Sequence, residues 1–289
     1  MIELFEKAYA KINLSLDVLG IRPDGYQDLK GIMQTISLCD DLTIRLDTGK
    51  EWQIDCGNSK IPNDSRNLAW RAAESFFKAT GIQPNGVSIH VVKRIPSEAG
   101  MGGGSADAAA VLRALNRHYA FPLSSQKLIF LAATVGSDVP FCVYGGTAIA
   151  EGRGERLTWL PDLPECSIVT CKPDFSVSTP VLFRRIDSYT LKDRPDHCAM
   201  EAAVRRQDLS GIGSLVCNVF DPLVDQEYPV IGDIKNAMLR SGALGAQMTG
   251  SGSAVYGLFD CSDYARDAVC RLSAILDRVW ICTPVGKYT

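Results

Sequence analysis

The chain has 289 residues, 46% of them hydrophobic and 22% charged, with 30 basic against 33 acidic side chains. That length fits one large domain or two of ordinary size, and the apolar fraction excludes wholesale disorder. The near-neutral balance excludes the basic footprint of a nucleic-acid or anionic-membrane binder, and no apolar run approaches the roughly 18 residues of a membrane span. Ten cysteines could form five disulfides, yet none is spaced as C-x-x-C, and His90, His118 and His197 are scattered, so no zinc site is expected. No charged n-region followed by an apolar h-region opens the chain, and the cysteines read as packing thiols of a cytoplasmic protein.

In chain order, Tyr9 to Val18 alternates with period two. Ala10, Ile12, Leu14, Leu16 and Val18 share one face; Tyr9, Lys11, Asn13, Ser15 and Asp17 share the other. This predicts a half-buried strand whose polar face looks at solvent or a cleft. Arg22-Pro23-Asp24-Gly25 is a turn signal, and Ile32–Leu38 and Leu42–Leu46 resume as strands. Ser65-Arg66-Asn67 precedes a helix to about Thr80, with Leu68, Ala72, Ala73, Phe76 and Phe77 on its apolar side and Gly81 as C-cap. Val87–Val92 is a strand that runs through Ile95-Pro96 into Gly100-Met101-Gly102-Gly103-Gly104-Ser105. An alanine-rich helix follows from about Ala106 to Tyr119, and another from Ser125 to Val135 leads to Gly136-Ser137-Asp138-Val139-Pro140.

Leu160-Pro161-Asp162-Leu163-Pro164 has the composition of a linker. Beyond it come a strand at Ser167–Cys171 and helical segments including Gly232–Ser241. Ala246–Thr249 and Ala254–Phe259 form a hairpin about Gly250-Ser251-Gly252. A helix capped by Ser262 runs to about Leu276, and a last strand covers Val279–Thr283. Strands and helices mix without a regular βαβ period, which predicts an α+β fold in two lobes and not a doubly wound sheet.

A strand, then G-x-G-G-G-S, then a helix places bare amides at a helix N-terminus, where amides and helix dipole both favour phosphate. The plainer reading is a flexible connector with Ser105 as an N-cap. No G-K-[ST] follows, and the spacing is not that of a dinucleotide fingerprint. Lys11, with Asn13 on the same strand face, is either a solvated lysine or a site cation. Asp138 before Val139-Pro140 fits a helix N-cap, and one carboxylate oxygen can cap while the other faces a substrate. Gly250-Ser251-Gly252 is a tight turn, or a place where backbone meets ligand.

Taken together, A-K-I-N-L, I-P-S-E-A-G-M-G-G-G-S-A-D-A-A-A and G-A-Q-M-T-G-S-G-S-A resemble the three motifs of the GHMP kinases. Tyr9–Tyr26, Met33–Leu38, Gly136–Phe141 and Ser176–Pro180 resemble the branch that acts on a cytidine-diphosphate-linked polyol, in that family's order through nearly the whole chain. The resemblance implies a two-lobe fold: a ribosomal-protein-S5-domain-2-like ATP-binding lobe over residues 1–158 and a ferredoxin-like lobe over 159–289. It implies transfer of the ATP γ-phosphate to the 2-hydroxyl of a cytidine-diphosphate-linked methylerythritol. The partner is then a small molecule, with no nucleic acid and no membrane, and the chain a monomer or weak homodimer.

Site residues follow from the same resemblance. Asp138 matches the group that accepts the hydroxyl proton, and Lys11 the group that orients it and offsets transition-state charge. Phosphoryl transfer is mostly positioning and electrostatics, so one base and one cation suffice; an aspartate beside a lysine stays ionised and acts late. Asn13 would hydrogen-bond the substrate. Gly100, Gly102, Gly103, Gly104 and Ser105 would cradle the ATP phosphates, with Pro96 at the loop entrance and Asn67 and Leu68 on the adenine side. Tyr26 and Phe183 would sandwich the cytosine, against core packing as the plainer role of Phe183. Thr179 would lie near the substrate, and Gly250 and Ser251 would contact its diphosphate or brace the nucleotide loop. Mg²⁺ is expected with ATP although no acidic cage is visible; Ser105 or Glu98 could help hold it. One departure stands out: the family reads D-G-Y-H where this chain has Gln27 after Tyr26, an amide that still donates and accepts. It leaves a GHMP kinase with a different acceptor as an alternative, beside a catalytically silent binding protein of the same fold.

Overall fold

The computed structural model describes residues 2–23, 25–57, 61–186, 189, 191 and 193–288, so Asp24 of the expected turn lies outside the described residues. The first half contains β1 (Ile2–Ile21), β2 (Gln27–Leu46), β3 (Gln53–Asp55), α1 (Leu68–Thr80), β4 (Val87–Val92), α2 (Gly103–His118), α3 (Ser125–Val135), α4 (Val139–Tyr144), β5 (Thr147–Gly152) and β6 (Arg156–Leu160). The second contains β7 (Ser167–Cys171), α5 (Thr179–Ile186), α6 (His197–Arg205), α7 (Leu209–Ser214), β8 (Cys217–Asn218), α8 (Asp221–Glu227), α9 (Val230–Arg240), β9 (Gly245–Met248), β10 (Val255–Phe259), α10 (Ser262–Ser273) and β11 (Val279–Cys282).

Packing divides the chain into two compact units. One comprises Met1–Ala10, Leu38–Ser97 and Gly102–Tyr144; the other comprises Lys11–Ser37, Glu98–Met101 and Gly145–Thr289. Strands β1 and β2 contribute residues to both.

In the first unit β4 runs antiparallel to the end of β2, with Ile44 opposite Ile89, and β3 is parallel to β4. Four helices, α1 to α4, pack on one another. Helix α1 starts where the sequence puts it: the Asn67 side chain accepts from the Ala69 amide at 2.9 Å, and Gly81 closes the helix at φ 72°. Ala72, Ala73, Phe76 and Phe77 are buried as its periodicity predicts; fully burying Phe76 is worth about 2–3 kcal/mol. Helix α2 begins three residues earlier than expected, inside the glycine run, so Ser105 is its third residue and not its N-cap.

In the second unit β5 pairs with the start of β2 and with β6, and β8 pairs in parallel with β1. A four-stranded sheet has the order β11-β7-β10-β9, with α9 and α10 packed on it. Its core gathers Val169, Phe220, Ile231, Ile234, Met238 and Phe259. The β9–β10 hairpin forms as expected, with Tyr256 opposite Gln247. In α10, Ser262 is the first helical residue and not a cap, and the helix ends at Ser273 because turns at Ile275 and Leu276 replace its last part.

The polar face of β1 is the main departure. Lys11, Asn13, Ser15 and Asp17 are all buried. Each finds a partner: Lys11 bonds Asn13, Ser15 Oγ accepts from the Ile32 amide, and Asp17 accepts from Arg194. Paired polar groups can be buried at little cost.

None of the ten cysteines is in a disulfide. Cys56, Cys142, Cys171 and Cys282 are buried packing groups, and burial pushes the Cys171 thiol up to about 12, but Cys198 and Cys270 are exposed. Among the described residues no helix is long and apolar enough to cross a membrane.

Candidate active site

In the first unit the start of α2 is the central feature. Gly102 stands at φ 70°, a left-handed conformation that favours glycine, and it has no side chain with which to cap the helix. The Ala106 amide bonds Gly102 at 2.8 Å. The amides of Gly103, Gly104 and Ser105 belong to the first turn, which has no intrahelical acceptors for them. Gly104 is exposed and Ser105 half-buried. A Cβ on Gly104 would meet only Leu68 Cδ1, at 3.5 Å. A Cβ on Gly136 would lie 3.9 Å from the same atom and 4.0 Å from Ser105 Oγ. The starts of α1 and α2 and the turn before α4 therefore converge.

Asp138 sits at that turn, half-buried, and its backbone carbonyl accepts the Cys142 amide at 3.1 Å. This is the cap position the sequence assigns to it. Asn67 is committed to structure: its oxygen caps α1, and its Nδ2 donates to the Pro62 carbonyl at 2.9 Å and to Cys56 Sγ at 3.4 Å. Pro96 is half-buried, next to the buried Ile95.

The second unit holds the rest. Lys11 is 4% exposed, which removes the solvated-lysine reading; its Nζ donates to Asn13 Oδ1 at 2.7 Å and its amide to the Met101 carbonyl at 3.0 Å. The Asn13 amide donates to Thr249 Oγ1 at 3.0 Å. Loop and hairpin turn lie backbone to backbone. A Cβ on Gly100 would stand 2.1 Å from the Thr249 carbonyl oxygen, and one on Gly250 would stand 2.7 Å from that of Gly100. The Ala254 amide adds a bond to the Ala99 carbonyl at 3.1 Å. Gly250 thus braces the loop, and Thr179 Oγ1 lies 2.6 Å from Ser251 Oγ.

The aromatic pair stands against different partners. Tyr26 is 53% exposed, with the Arg153 guanidinium 3.6 Å from its ring centroid. Phe183 is half-buried and packs edge-on against Phe220, centroids 5.0 Å apart. Gln27 is half-buried at the start of β2, and Glu98 is exposed.

Several supporting residues escaped the sequence reading. Asn218 Nδ2 donates to the Met248 and Gly250 carbonyls, both at 2.8 Å, and fixes the turn from behind. The fully buried Tyr256 hydroxyl donates to the Asn13 carbonyl at 2.9 Å, and burial pushes its pKa far up, so it stays a donor. Lys172, buried, donates to the Pro173 and Phe175 carbonyls at 2.9 and 2.6 Å, and burial with Arg278 nearby lowers its pKa. Ser253 Oγ donates to the same Phe175 carbonyl at 2.6 Å, so Lys172 and Ser253 together hold the segment that leads to Thr179. A lone asparagine in V-C-N-V-F was the only hint at Asn218. Among the described residues no three His, Cys, Asp or Glu side chains gather to hold a metal.

The chain matches the family described as GHMP kinases N terminal domain over residues 67–146 and GHMP kinases C terminal over residues 200–277. A Caldicellulosiruptor saccharolyticus protein named 4-diphosphocytidyl-2-C-methyl-D-erythritol kinase is 41% identical over 277 residues, covering 96% of this chain and 95% of its own. A protein of the same name from a Geobacillus species is 42% identical over 284 residues, covering 98% of each. A crystal structure of a 4-(cytidine 5'-diphospho)-2C-methyl-D-erythritol kinase is similar at a TM-score of 0.82 and 36% identity, over 98% of this chain and 99% of that one. Homoserine kinase from Cytophaga hutchinsonii shares the fold at a TM-score of 0.76 and 19% identity, over 99% of this chain and 95% of its own.

Proposed function

The chain belongs to the GHMP kinases, in the family of the 4-diphosphocytidyl-2-C-methyl-D-erythritol kinases, and from that premise we propose how its residues perform the family's reaction. It is a phosphotransferase with an alcohol acceptor: it moves the γ-phosphate of ATP to the 2-hydroxyl of 4-diphosphocytidyl-2-C-methyl-D-erythritol, in non-mevalonate isoprenoid precursor synthesis.

The observation that best supports the nucleotide end is the first turn of α2, which has no side-chain cap and where a Cβ on Gly104 would meet only Leu68 Cδ1, at 3.5 Å, beside the amides of Gly103, Gly104 and Ser105. These amides bind the ATP phosphates. Leu68 gives the adenine side its apolar surface, while Asn67 holds α1 in place through its side chain. Asp138 accepts the acceptor's hydroxyl proton. Its backbone carbonyl accepts the Cys142 amide at the start of α4, which fixes the residue at the head of that helix. Lys11 supplies the positive charge that the transferring phosphoryl group needs. Its bond to Asn13 sets both side chains on one strand face, where Asn13 hydrogen-bonds the substrate. Tyr26 and Phe183 hold the cytosine, Gln27 meets its edge, and Thr179 and Ser251, themselves bonded, lie toward the diphosphate with Gly250 beneath.

Mg²⁺ accompanies ATP to neutralise its charge. ATP oxygens would hold the ion, and Ser105, in the first turn of α2, would be the candidate side-chain ligand. We place the boundary between the family's two domains at residues 158/159; the two family matches fall on either side of it. A cytoplasmic monomer or weak homodimer completes the proposal.

The test is a kinase assay that compares the cytidine-diphosphate-linked substrate with its uridine analogue and with the free polyol. The cytidine substrate is expected to lead the free polyol in kcat/KM by roughly 100-fold or more. Equal rates on the free polyol would remove the substrate assignment, and equal rates on the uridine analogue would show that Gln27 does not read the base.

A further inference from the structure

The turn between β5 and β6 carries an arginine to which phosphoryl transfer gives no task. Pairing of β5 with β2 puts Leu29 opposite Gly152 and Lys30 opposite Glu151, so the turn lies beside the residues that lead into β2. There the Arg153 guanidinium stands over the Tyr26 ring, its carbon 3.6 Å from the ring centroid. That is contact distance for a planar cation on an aromatic face.

Both backbones are held where they stand. The Glu155 carboxylate accepts the Arg153 amide at 2.6 Å, and the Gly154 amide donates to the Glu151 carbonyl at 3.2 Å. Gly152, at φ 76°, makes room for that carboxylate: a Cβ there would stand 2.8 Å from Glu155 Oε1. Across from it the Tyr26 carbonyl accepts the Arg22 amide at 2.7 Å. Glu151 is paired with Lys30 at 3.1 Å, so it does not draw the guanidinium off the ring.

An aromatic ring has two faces, and a base stacks on one of them. Tyr26 stays 53% exposed with the guanidinium on one face, so the opposite face is the open one. A tyrosine at the surface turns about its side-chain bonds, and a ligand that stacks on it must arrest that motion at a cost in entropy. Contact with Arg153 arrests it beforehand.

We propose that Arg153 is a positioning residue for the cytosine: it stacks on one face of Tyr26 and presents the other face, already oriented, to the base. The proposal rests on the assignment of the base to Tyr26. Lysine keeps the charge but is a point cation without a plane to lay on the ring, so it replaces arginine only in part. Arg153 acts on the cytidine end and on no reacting atom. Its signature therefore falls on KM for the cytidine substrate, and not on kcat or on KM for ATP.

The test is a double-mutant cycle, read as kcat/KM for the cytidine-diphosphate-linked substrate at saturating ATP, with KM for ATP and kcat measured alongside. Arg153→Ala is expected to raise KM for the cytidine substrate roughly 3- to 10-fold, with kcat and KM for ATP unchanged. Arg153→Met, which keeps the apolar stem without the cation, should lose as much, and Arg153→Lys should recover part. Tyr26→Ala should cost roughly tenfold or more, and adding Arg153→Ala to it should cost nothing further. An unchanged KM in Arg153→Ala and Arg153→Met overturns the proposal. So does a loss that persists undiminished in the Tyr26→Ala background, because Arg153 would then act on the substrate directly. Equal rises in KM for both substrates would make Arg153 a residue of the fold alone. Arg153→Met, with its longer stem, decides the matter if Arg153→Ala fails to fold. An unchanged KM in Tyr26→Ala would instead remove the base from Tyr26, and the proposal with it.

Discussion

Replacing Gly104 with alanine should make the protein more stable and a poorer user of ATP. The residue is exposed, second in α2, and a Cβ there would meet only Leu68 Cδ1 at 3.5 Å, an ordinary van der Waals contact. Glycine in a helix costs about 0.5–1 kcal/mol relative to alanine, so the denaturation midpoint is expected to hold or rise. The new methyl tilts toward the helix N-terminus, as every helical Cβ does, into the approach that phosphates take to the amides. Losing one charge-assisted amide–phosphate bond costs about 1.5–3 kcal/mol. At 1.4 kcal/mol per factor of ten, this raises KM for ATP roughly 10- to 150-fold. Denaturant melts and steady-state kinetics at saturating acceptor measure the two effects separately. An unchanged KM for ATP in a variant as stable as the wild type would show that phosphates do not bind at this turn.

Gly100→Ala should behave in the opposite way. Alanine at φ 72° costs about 1–2 kcal/mol, and its Cβ cannot remain 2.1 Å from the Thr249 carbonyl oxygen, so the midpoint and kcat both fall; a loss below ~0.5 kcal/mol, within the range of an ordinary surface change, would contradict the backbone packing seen here. Asp138→Asn should retain the fold and ATP binding while turnover drops by a factor on the order of 10²–10⁴, and near-normal turnover would remove Asp138 from the base role. Phe183→Ala should cost stability through its lost edge contact with Phe220, by about 1–3 kcal/mol, and raise KM for the cytidine substrate far more than KM for ATP. Equal changes in the two KM values would make Phe183 a packing residue alone.

Much of the fold was legible where local chemistry decides it. Asn67 and Gly81 mark the two ends of α1 because a side-chain cap and a left-handed glycine act within a turn of themselves. The start of α2 falls outside the sequence expectation for the same kind of reason: three glycines are poor helix formers, so nothing local marks Gly103 and Gly104 as its first turn. The polar face of β1 was assigned to solvent or a cleft because period two separates polar from apolar without telling what covers each side. The bonds that bury it reach far along the chain: Asn13 meets Thr249 across 236 residues and Tyr256 across 243. Such pairings leave no spacing to read. Lys11, Asn13 and Asp138 were found through family motifs, while Asn218 and Lys172 carry no motif and depend on the folded neighbourhood.

The glycine run shows how one motif divides into two tasks. Read along the chain, Gly100 to Ser105 is a single phosphate loop. In the structure Gly100 serves the hairpin turn: its missing Cβ admits the Thr249 carbonyl, and Gly250 returns the contact. Thr249 Oγ1 accepts the Asn13 amide, and Met101, next to Gly100, accepts the Lys11 amide. A bulky group at position 100 therefore disturbs the strand that carries Lys11 and Asn13, and the damage should reach kcat. Gly104 has no such connections. Its substitution touches only the approach to the helix amides, and the damage should stop at KM for ATP. Two glycines four residues apart are thus expected to fail in different kinetic constants, because one is needed for what packs behind it and the other for what must come in front.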